Sequence, residues 1–305
     1  MKPAFSVIFF TVSSGAGLGL VALLAFADLF QWSGALENKD VVTGGVLALL
    51  LVTAGLLSST LHLANPKNAW RSFSQFRTSW LSREGVFAVL FYPFALAFIG
   101  SAYFDIVGPV RTIAAAGTLV LAWIILYCTG MIYASLKPIP QWHTPLVPIG
   151  YLVLGHYSGA LLLLAILAYA GHAAPSYVHW VLTWLVLAAV VKAIYYAWIR
   201  QRDMEPTINM ATGISRARVR LLDAGHSHGT FLTNEFGFTL ARQHAILVKG
   251  LVFVLGFGAP LILLHGDPGI GPVFVSIGAA VVGLVLERWL FFAEARHVVR
   301  LYHGL

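Results

Sequence analysis

Three histidines stand where predicted apolar helices begin or end. His62 ends the second apolar run, His244 begins the seventh and His297 ends the eighth. A quinone carbonyl needs a hydrogen-bond donor that also exchanges a proton near neutral pH, and imidazole does both. We therefore predict that these three histidines bind a quinone at one membrane interface. The alternative for each alone is an interfacial histidine that snorkels or caps a helix.

Charged side chains inside apolar runs are costly and therefore indicate function by default. Lys192 in the sixth run and Glu287 in the eighth fall at similar depth, which predicts a buried ion pair. Glu287, Glu294 and His297 are spaced seven and three apart, so they are predicted to share one broad face of a helix. Lys192, Glu287 and Glu294 are our candidates for a proton relay. A purely structural ion pair that fixes helix packing is the alternative.

Other candidate ligands are weaker. His156 lies near the middle of the fifth run, where a haem ligand could lie, but no second histidine at matching depth is evident. Haem b is therefore not expected, although His156 remains the candidate. His226 and His228 sit in a Gly/Ser turn without Cys or acidic companions, so a metal site is not predicted. The single cysteine, Cys128, rules out an iron–sulfur cluster within this chain.

The composition is that of a membrane protein. Hydrophobic residues make up 59% and charged residues 10% of the 305 positions, whereas charged residues supply about a quarter of a soluble domain. A hydrocarbon core about 30 Å thick needs about 20 apolar residues per helix, and the chain offers eight such runs. We predict an all-α integral membrane protein, a bundle of eight transmembrane helices forming one domain over 1–305. The predicted spans are 6–30, 43–64, 83–104, 109–135, 146–170, 177–200, 242–265 and 271–297.

The basic residues lie mainly on one side of these spans. Of the 19 Lys and Arg residues, 15 fall on the side of the N-terminus, here called face A, and two fall on the other side, face B. The positive-inside rule makes face A cytoplasmic, with both termini there. The net charge of +7 therefore reflects cytoplasmic loops rather than nucleic-acid binding.

Two long loops on face A, 65–82 and 201–241, mix basic and aromatic residues. They are predicted to dock a partner protein, and interfacial segments on anionic lipid are the alternative. The candidate docking residues are Lys67, Arg71 and Arg77 in the first loop, Arg83 at the start of the third span and Trp142 before the fifth helix.

Several motifs resemble the membrane-anchor subunit family of dimethyl sulfoxide reductase (DmsC type). They are Leu61–Trp70, with His62 followed by Pro66, then Ser79–Glu84, Ile139–Trp142 and Glu287–His297. The resemblance covers nearly the whole chain. It implies eight helices, no catalytic site for the terminal substrate, and a quinone site close to a four-cluster iron–sulfur subunit that joins a molybdopterin subunit. His62 matches the family histidine at that quinone site.

The long loop Ile214–His244 resembles the branch that contains the membrane subunit of the cytoplasmic sulfite-oxidising enzyme (SoeC type). This implies an anchor in the bacterial cytoplasmic membrane that passes electrons from sulfite oxidation to the quinone pool. A quinol-oxidising anchor of a sulfoxide reductase is the first alternative. A secondary transporter with Lys192 and Glu287 as its coupling pair is the second, although no internal repeat supports it.

Overall fold

The computed structural model describes residues 3–32, 36–60, 66–201, 207–223, 240–266 and 268–303. Throughout these ranges the regular structure is helical. Within these ranges eight helices are long and apolar enough to cross a membrane, which confirms the predicted fold class. They are α1 (Phe5–Phe30), α2 (Asn38–Thr60), α3 (Trp80–Tyr103), α4 (Pro109–Ala134), α5 (Leu146–Ala170), α6 (Pro175–Gln201), α7 (Leu240–Phe253, continued by a π-helical segment Val254–Gly258 and by Ala259–Leu263) and α8 (Ile270–Ala293).

Within the described ranges, three shorter helices lie outside the spans. A 3-10 helix, Pro66–Gln75, precedes α3, and a second one, Val298–His303, follows α8. One α-helical turn, Ile208–Thr212, lies between α6 and α7. The Tyr302 hydroxyl donates to the carbonyl of Ala211 at 2.8 Å, so the last short helix is fastened to this turn.

Most described helix ends lie within three residues of the predicted bounds, but the start of α2 and the end of α8 differ by more. α2 begins at Asn38 rather than at 43, because its polar first turn finds partners in neighbouring segments. α8 ends at Ala293 rather than at 297. The chain then turns back, and the Val298 N–H donates to the Pro138 carbonyl at 3.1 Å. His297 therefore does not lie on the helical face of Glu287, and that part of the prediction is wrong.

The centre of the bundle is α1, which packs against α2, α4 and α5. Small residues allow the closest approaches. A Cβ on Gly19 would collide with the Gly155 carbonyl, and one on Gly17 would lie 2.6 Å from the Ala48 carbonyl oxygen. Close packing of small residues is a main source of helix association in lipid, where burial from water contributes little. Gly17 and Gly19 therefore allow the close packing of α1 on α2 and α5.

A polar network at face B joins the helix ends. The Arg111 guanidinium, at the start of α4, forms an ion pair with Asp28 of α1 and donates to the Asn38 side-chain oxygen at 2.7 Å. Asn38 in turn donates to Asp105 at 2.6 Å. These bonds fix α1, α2 and α4 and the end of α3 at the face away from the long loops.

His172, in the short loop between α5 and α6, contributes to the folding stability at face B in a pH-dependent way. Its Nδ1 lies 2.9 Å from the Asp40 carboxylate and its Nε2 lies 3.2 Å from Glu37. The hydrogen bond to Asp40 raises the pKa of His172 above its ordinary value of 6.5. A raised folded-state pKa stabilises the protein below the unfolded-state pKa, and that stability is lost as the pH rises through the folded-state value.

We therefore expect the thermal stability of the detergent-solubilised protein to fall as the pH is raised through the titration of His172. His172→Gln keeps a polar side chain but removes the charge, so it should flatten this part of the profile. A His172→Gln profile parallel to that of the wild type would contradict the prediction.

Candidate functional site

The predicted pair of Lys192 and Glu287 is present and includes a third charge. The Lys192 ammonium and the Arg288 guanidinium both contact the Glu287 carboxylate, one at each oxygen. Glu287 is 0% exposed, and the two cations are buried with it. The buried pair is therefore confirmed, and the cluster holds two positive charges against one negative charge.

Aromatic rings enclose this triad. The Lys192 Nζ lies 4.3 Å from the Tyr195 ring centroid, and the Arg288 guanidinium lies 4.4 Å from the Tyr151 ring. The faces of aromatic rings attract cations, most strongly where water is excluded. The rings thus offset part of the surplus positive charge. At 1.5 Å per residue, Glu287 and Lys192 lie roughly 9 and 14 Å below face A.

A second ion pair lies between the triad and face A. The Lys249 Nζ, on α7, lies 2.7 Å from the Glu294 carboxylate, at the end of α8, and both side chains are partly exposed. The Tyr196 ring lies between the two pairs, with Lys192 at 5.2 Å and Lys249 at 5.0 Å from its centroid. The three predicted relay residues, Lys192, Glu287 and Glu294, therefore belong to one polar series that leads inward from face A.

Glu84, on α3, is a buried carboxylate to which the sequence analysis gave no role. It is 4% exposed and accepts a hydrogen bond from the Thr129 hydroxyl of α4. Among the described residues no Lys, Arg or His forms an ion pair with it. Glu84 is part of the Ser79–Glu84 motif, but the burial of its side chain follows from the packing of α3 on α4, which the sequence does not specify.

Two of the three predicted quinone ligands, His244 and His297, lie within the described residues. His62 lies outside the described residues. His244 is exposed at the start of α7, and His297 is partly buried beyond the end of α8. The His297 Nδ1 accepts from the Val299 N–H at 3.0 Å, and burial lowers the pKa of His297 below 6.5. Their role as quinone ligands stays a prediction.

His156, the haem candidate, uses both ring nitrogens within the protein. Its Nδ1 lies 2.7 Å from the Leu152 carbonyl oxygen and its Nε2 accepts from the Trp123 indole N–H at 2.8 Å. The Trp184 ring stacks on the imidazole with centroids 4.6 Å apart. A ring nitrogen would have to give up one of these bonds to ligate iron. No group of three or more metal-ligating side chains occurs in the described ranges, and the predicted loop histidines, His226 and His228, lie outside them.

The docking candidates divide into exposed and buried residues. Lys67, Arg71 and Arg77 are exposed on or after the 3-10 helix, whereas Arg83, in the first turn of α3, is half-buried. Arg83 also donates to the carbonyls of Phe76, at 3.0 Å, and Arg77, at 2.8 Å, which shapes this loop. Trp142 is different, because it is 4% exposed and its indole N–H donates to the Phe291 carbonyl at 3.0 Å. Trp142 is a core residue, and its predicted docking role is not retained.

The family model for the DMSO reductase anchor subunit (DmsC) matches residues 1–293. The chain belongs to this DmsC family. It is 34% identical to the C subunit of the sulfite dehydrogenase of Allochromatium vinosum over 325 residues, which cover 99% of each protein. It is 29% identical to the C subunit of the anaerobic dimethyl sulfoxide reductase of Escherichia coli over 168 residues, which cover 54% of this protein and 58% of that one.

Membership of the DmsC family confirms the resemblance drawn from the sequence motifs, and with it the function of a multi-pass membrane anchor subunit. The family assignment therefore favours the anchor function over the secondary-transporter alternative. Both relatives are named as C subunits of redox enzymes, a sulfite dehydrogenase and a dimethyl sulfoxide reductase.

Proposed function

We propose that this DmsC-family protein is the anchor and quinone-reactive subunit of a molybdopterin/iron–sulfur oxidoreductase that passes electrons from sulfite oxidation to the quinone pool. The observation that carries the proposal is the polar series from the partly exposed Glu294 to the buried Glu287, in a protein similar along its whole length to a sulfite dehydrogenase subunit. The anchor itself does not act on the terminal substrate.

The orientation follows from charge. We place face A on the cytoplasmic side of a bacterial inner membrane, because basic residues cluster there and only Lys39 and Arg111 are found at face B. An iron–sulfur subunit and a molybdopterin subunit then lie in the cytoplasm. Sulfite formed inside the cell would reach them without crossing the membrane.

The 3-10 helix Pro66–Gln75 and the segment leading into α3 are proposed as the docking surface for the iron–sulfur subunit. Trp70 is 66% exposed and Phe73 is 44% exposed beside the basic Lys67 and Arg71. Aromatic residues and Arg are enriched at protein interfaces, while the basic charge suits an acidic partner surface. In the sequence, the predicted quinone ligand His62 precedes this 3-10 helix by four residues.

The proposed chemistry adds two electrons and two protons to the quinone to give quinol. The electrons come from the partner, and the anchor supplies the proton path. His62 donates a hydrogen bond to a quinone carbonyl. Glu84, about 6 Å below face A on α3, holds a proton close to the ring, and Glu294, Lys192 and Glu287 exchange protons with the cytoplasm. His244 and His297 remain further candidate quinone ligands.

The test of this function uses native membranes from strains with and without this anchor, with the catalytic subunits expressed in both. Sulfite should reduce a quinone analogue only where the anchor is present. If sulfite yields no quinol with the anchor present, sulfite-to-quinone electron transfer is wrong.

The reverse direction is the second candidate function, since the protein is also similar to a dimethyl sulfoxide reductase subunit. In that case a reduced quinol should drive sulfoxide reduction through this anchor, and sulfite should give no activity. The same membranes decide between the two directions.

We expect His62→Ala to assemble normally but to slow electron exchange between the quinone and the partner's clusters. Loss of a positioned proton-transfer group costs about 10²-fold or more in rate. The measurement is quinone reduction per assembled complex, with His265→Ala as control, because His265 is exposed at the face B end of α7. Loss of assembly with normal exchange in the remaining complex would count against the role of His62.

A further inference from the structure

An apolar groove of about 450 Å³ opens from the outer surface of the bundle between α4, α5 and α6. Its walls are Trp123, Ile124 and Tyr127 on α4, Leu152, Val153 and His156 on α5, and Trp184 on α6. Cavities of this size are typical of ligand sites, which lie between about 300 and 1,000 Å³.

The groove is at the middle of the bilayer. Trp123 precedes the face A end of α4 by eleven residues and His156 follows the face A end of α5 by ten. At 1.5 Å per residue both lie about 15 Å below that face, which is half of a hydrocarbon core about 30 Å thick. Tryptophans of membrane proteins usually lie at the interfaces. The position of Trp123 at this depth, and of Trp184 against His156, therefore needs a specific reason.

The buried His156 holds these two tryptophans in place. Trp123 donates to its Nε2 at 2.8 Å and Trp184 stacks on its ring, while its Nδ1 faces the Leu152 carbonyl. With these bonds made, the ring faces rather than polar atoms line the groove. Trp123 and Tyr127 remain 43% and 42% exposed toward the lipid. The groove is therefore preformed, and it suits a hydrocarbon tail rather than a polar head group.

Aromatic side chains continue from the groove to face A. Tyr127 follows Trp123 by one turn of α4, and its ring meets Trp80 edge to face with centroids 5.8 Å apart. The Arg83 guanidinium covers the Trp80 ring at 4.2 Å. Trp80 also precedes Glu84 by one turn of α3, so the two lie on neighbouring positions of one helix face. A row of aromatic side chains thus leads from the groove to the first turn of α3, one turn before Glu84.

We propose that this groove binds the isoprenoid tail of the quinone, with the ring toward Glu84 at face A. The inference rests on the proposed function, since it assigns a tail site to the same substrate. A phospholipid acyl tail would also fit an apolar groove, but it has no reason to lead to a proton-exchanging carboxyl group.

The test compares two quinones on the whole complex, a decyl-tailed benzoquinone and a tailless tetramethyl benzoquinone. Val153→Trp places a large side chain on the groove floor, and Val186→Trp, on the lipid-facing side of α6, is the matched control. Because lost dispersion contacts add up along a hydrocarbon tail, Val153→Trp should raise KM for the decyl quinone on the order of three- to tenfold. The kcat and the KM for the tailless quinone should not change, and neither should any value for the control.

Equal effects on both quinones, or none on either, would overturn the tail site. So would the loss of a co-purifying phospholipid from Val153→Trp with unchanged quinone kinetics, since the groove then holds an acyl tail. If the wild-type complex exchanges electrons with neither quinone, the proposed function itself fails. A decyl quinone with a photoreactive tail gives a readout without turnover: labelling of the stretches 123–127 and 152–156, absent in Val153→Trp, supports the site, and labelling elsewhere refutes it.

Discussion

Glu287→Gln is expected to prevent this protein from accumulating in a folded state. The substitution removes the one carboxylate that contacts both Lys192 and Arg288, and it leaves two buried cations side by side. Removing one partner of a buried ion pair costs on the order of 3 to 5 kcal/mol, which is a large part of the stability of most proteins. The measurement is the yield and melting temperature of the detergent-solubilised protein.

The cluster holds two cations and one carboxylate, so Lys192→Met is expected to affect stability much less than Glu287→Gln. Glu287 keeps its bond to Arg288, the cluster becomes neutral, and an apolar side chain fills the space of the lysine stem. Replacing a buried charge without leaving its partner uncompensated is often close to neutral in stability. Lys192→Met should therefore fold, while quinone reduction slows if Lys192 belongs to the proton path.

Glu294→Gln is the control for both variants. Its pair with Lys249 is partly exposed, and pairs of that kind contribute at most about 1 kcal/mol. A Lys192→Met variant as unstable as Glu287→Gln would show that the lysine, not the excess of charge, decides the packing.

The hydropathy of the sequence was sufficient to predict the eight membrane-spanning helices, because every backbone group in lipid must be hydrogen-bonded within its own helix. It failed at the helix ends, where tertiary partners decide. The first turn of α2 carries Asn38 and Asp40, which are too polar for a span, yet Arg111 and His172 satisfy them. The end of α8 depends on a bond from Val298 to Pro138 that no local pattern contains.

The buried ion pair was predictable because Lys192 and Glu287 have matching depths in the two spans that carry them. The contact of Arg288 with Glu287, the third charge of the cluster, was not predictable. Adjacent residues of a helix do not normally face each other, so the bond between Glu287 and Arg288 has no signature in spacing. Trp142 shows the opposite error. An aromatic residue in a loop suggested an exposed docking position, whereas its ring stacks on Phe291 inside the bundle at 5.4 Å.

Glu84→Gln is expected to separate protonation of the quinone from folding and from electron delivery. A glutamine side-chain oxygen accepts the hydrogen bond of Thr129 as the carboxylate does, so the contact between α3 and α4 is kept. The carboxyl proton is lost, and removal of a positioned acid or base slows proton-coupled steps by about 10² to 10⁴-fold. Quinone reduction should fall by that factor, while reduction of ferricyanide, which takes up electrons without protons, should be unchanged.

Thr129→Val is the matched variant on the partner helix. It removes the hydroxyl but leaves the carboxyl group of Glu84 in place, so its effect on quinone reduction should be much smaller than that of Glu84→Gln. If Glu84→Gln reduces quinone at the wild-type rate, Glu84 does not protonate the ring. If both acceptors are slowed equally, Glu84 supports the docking of the partner subunit instead, because its helix begins directly after the exposed basic residues of the 3-10 helix and its following turn.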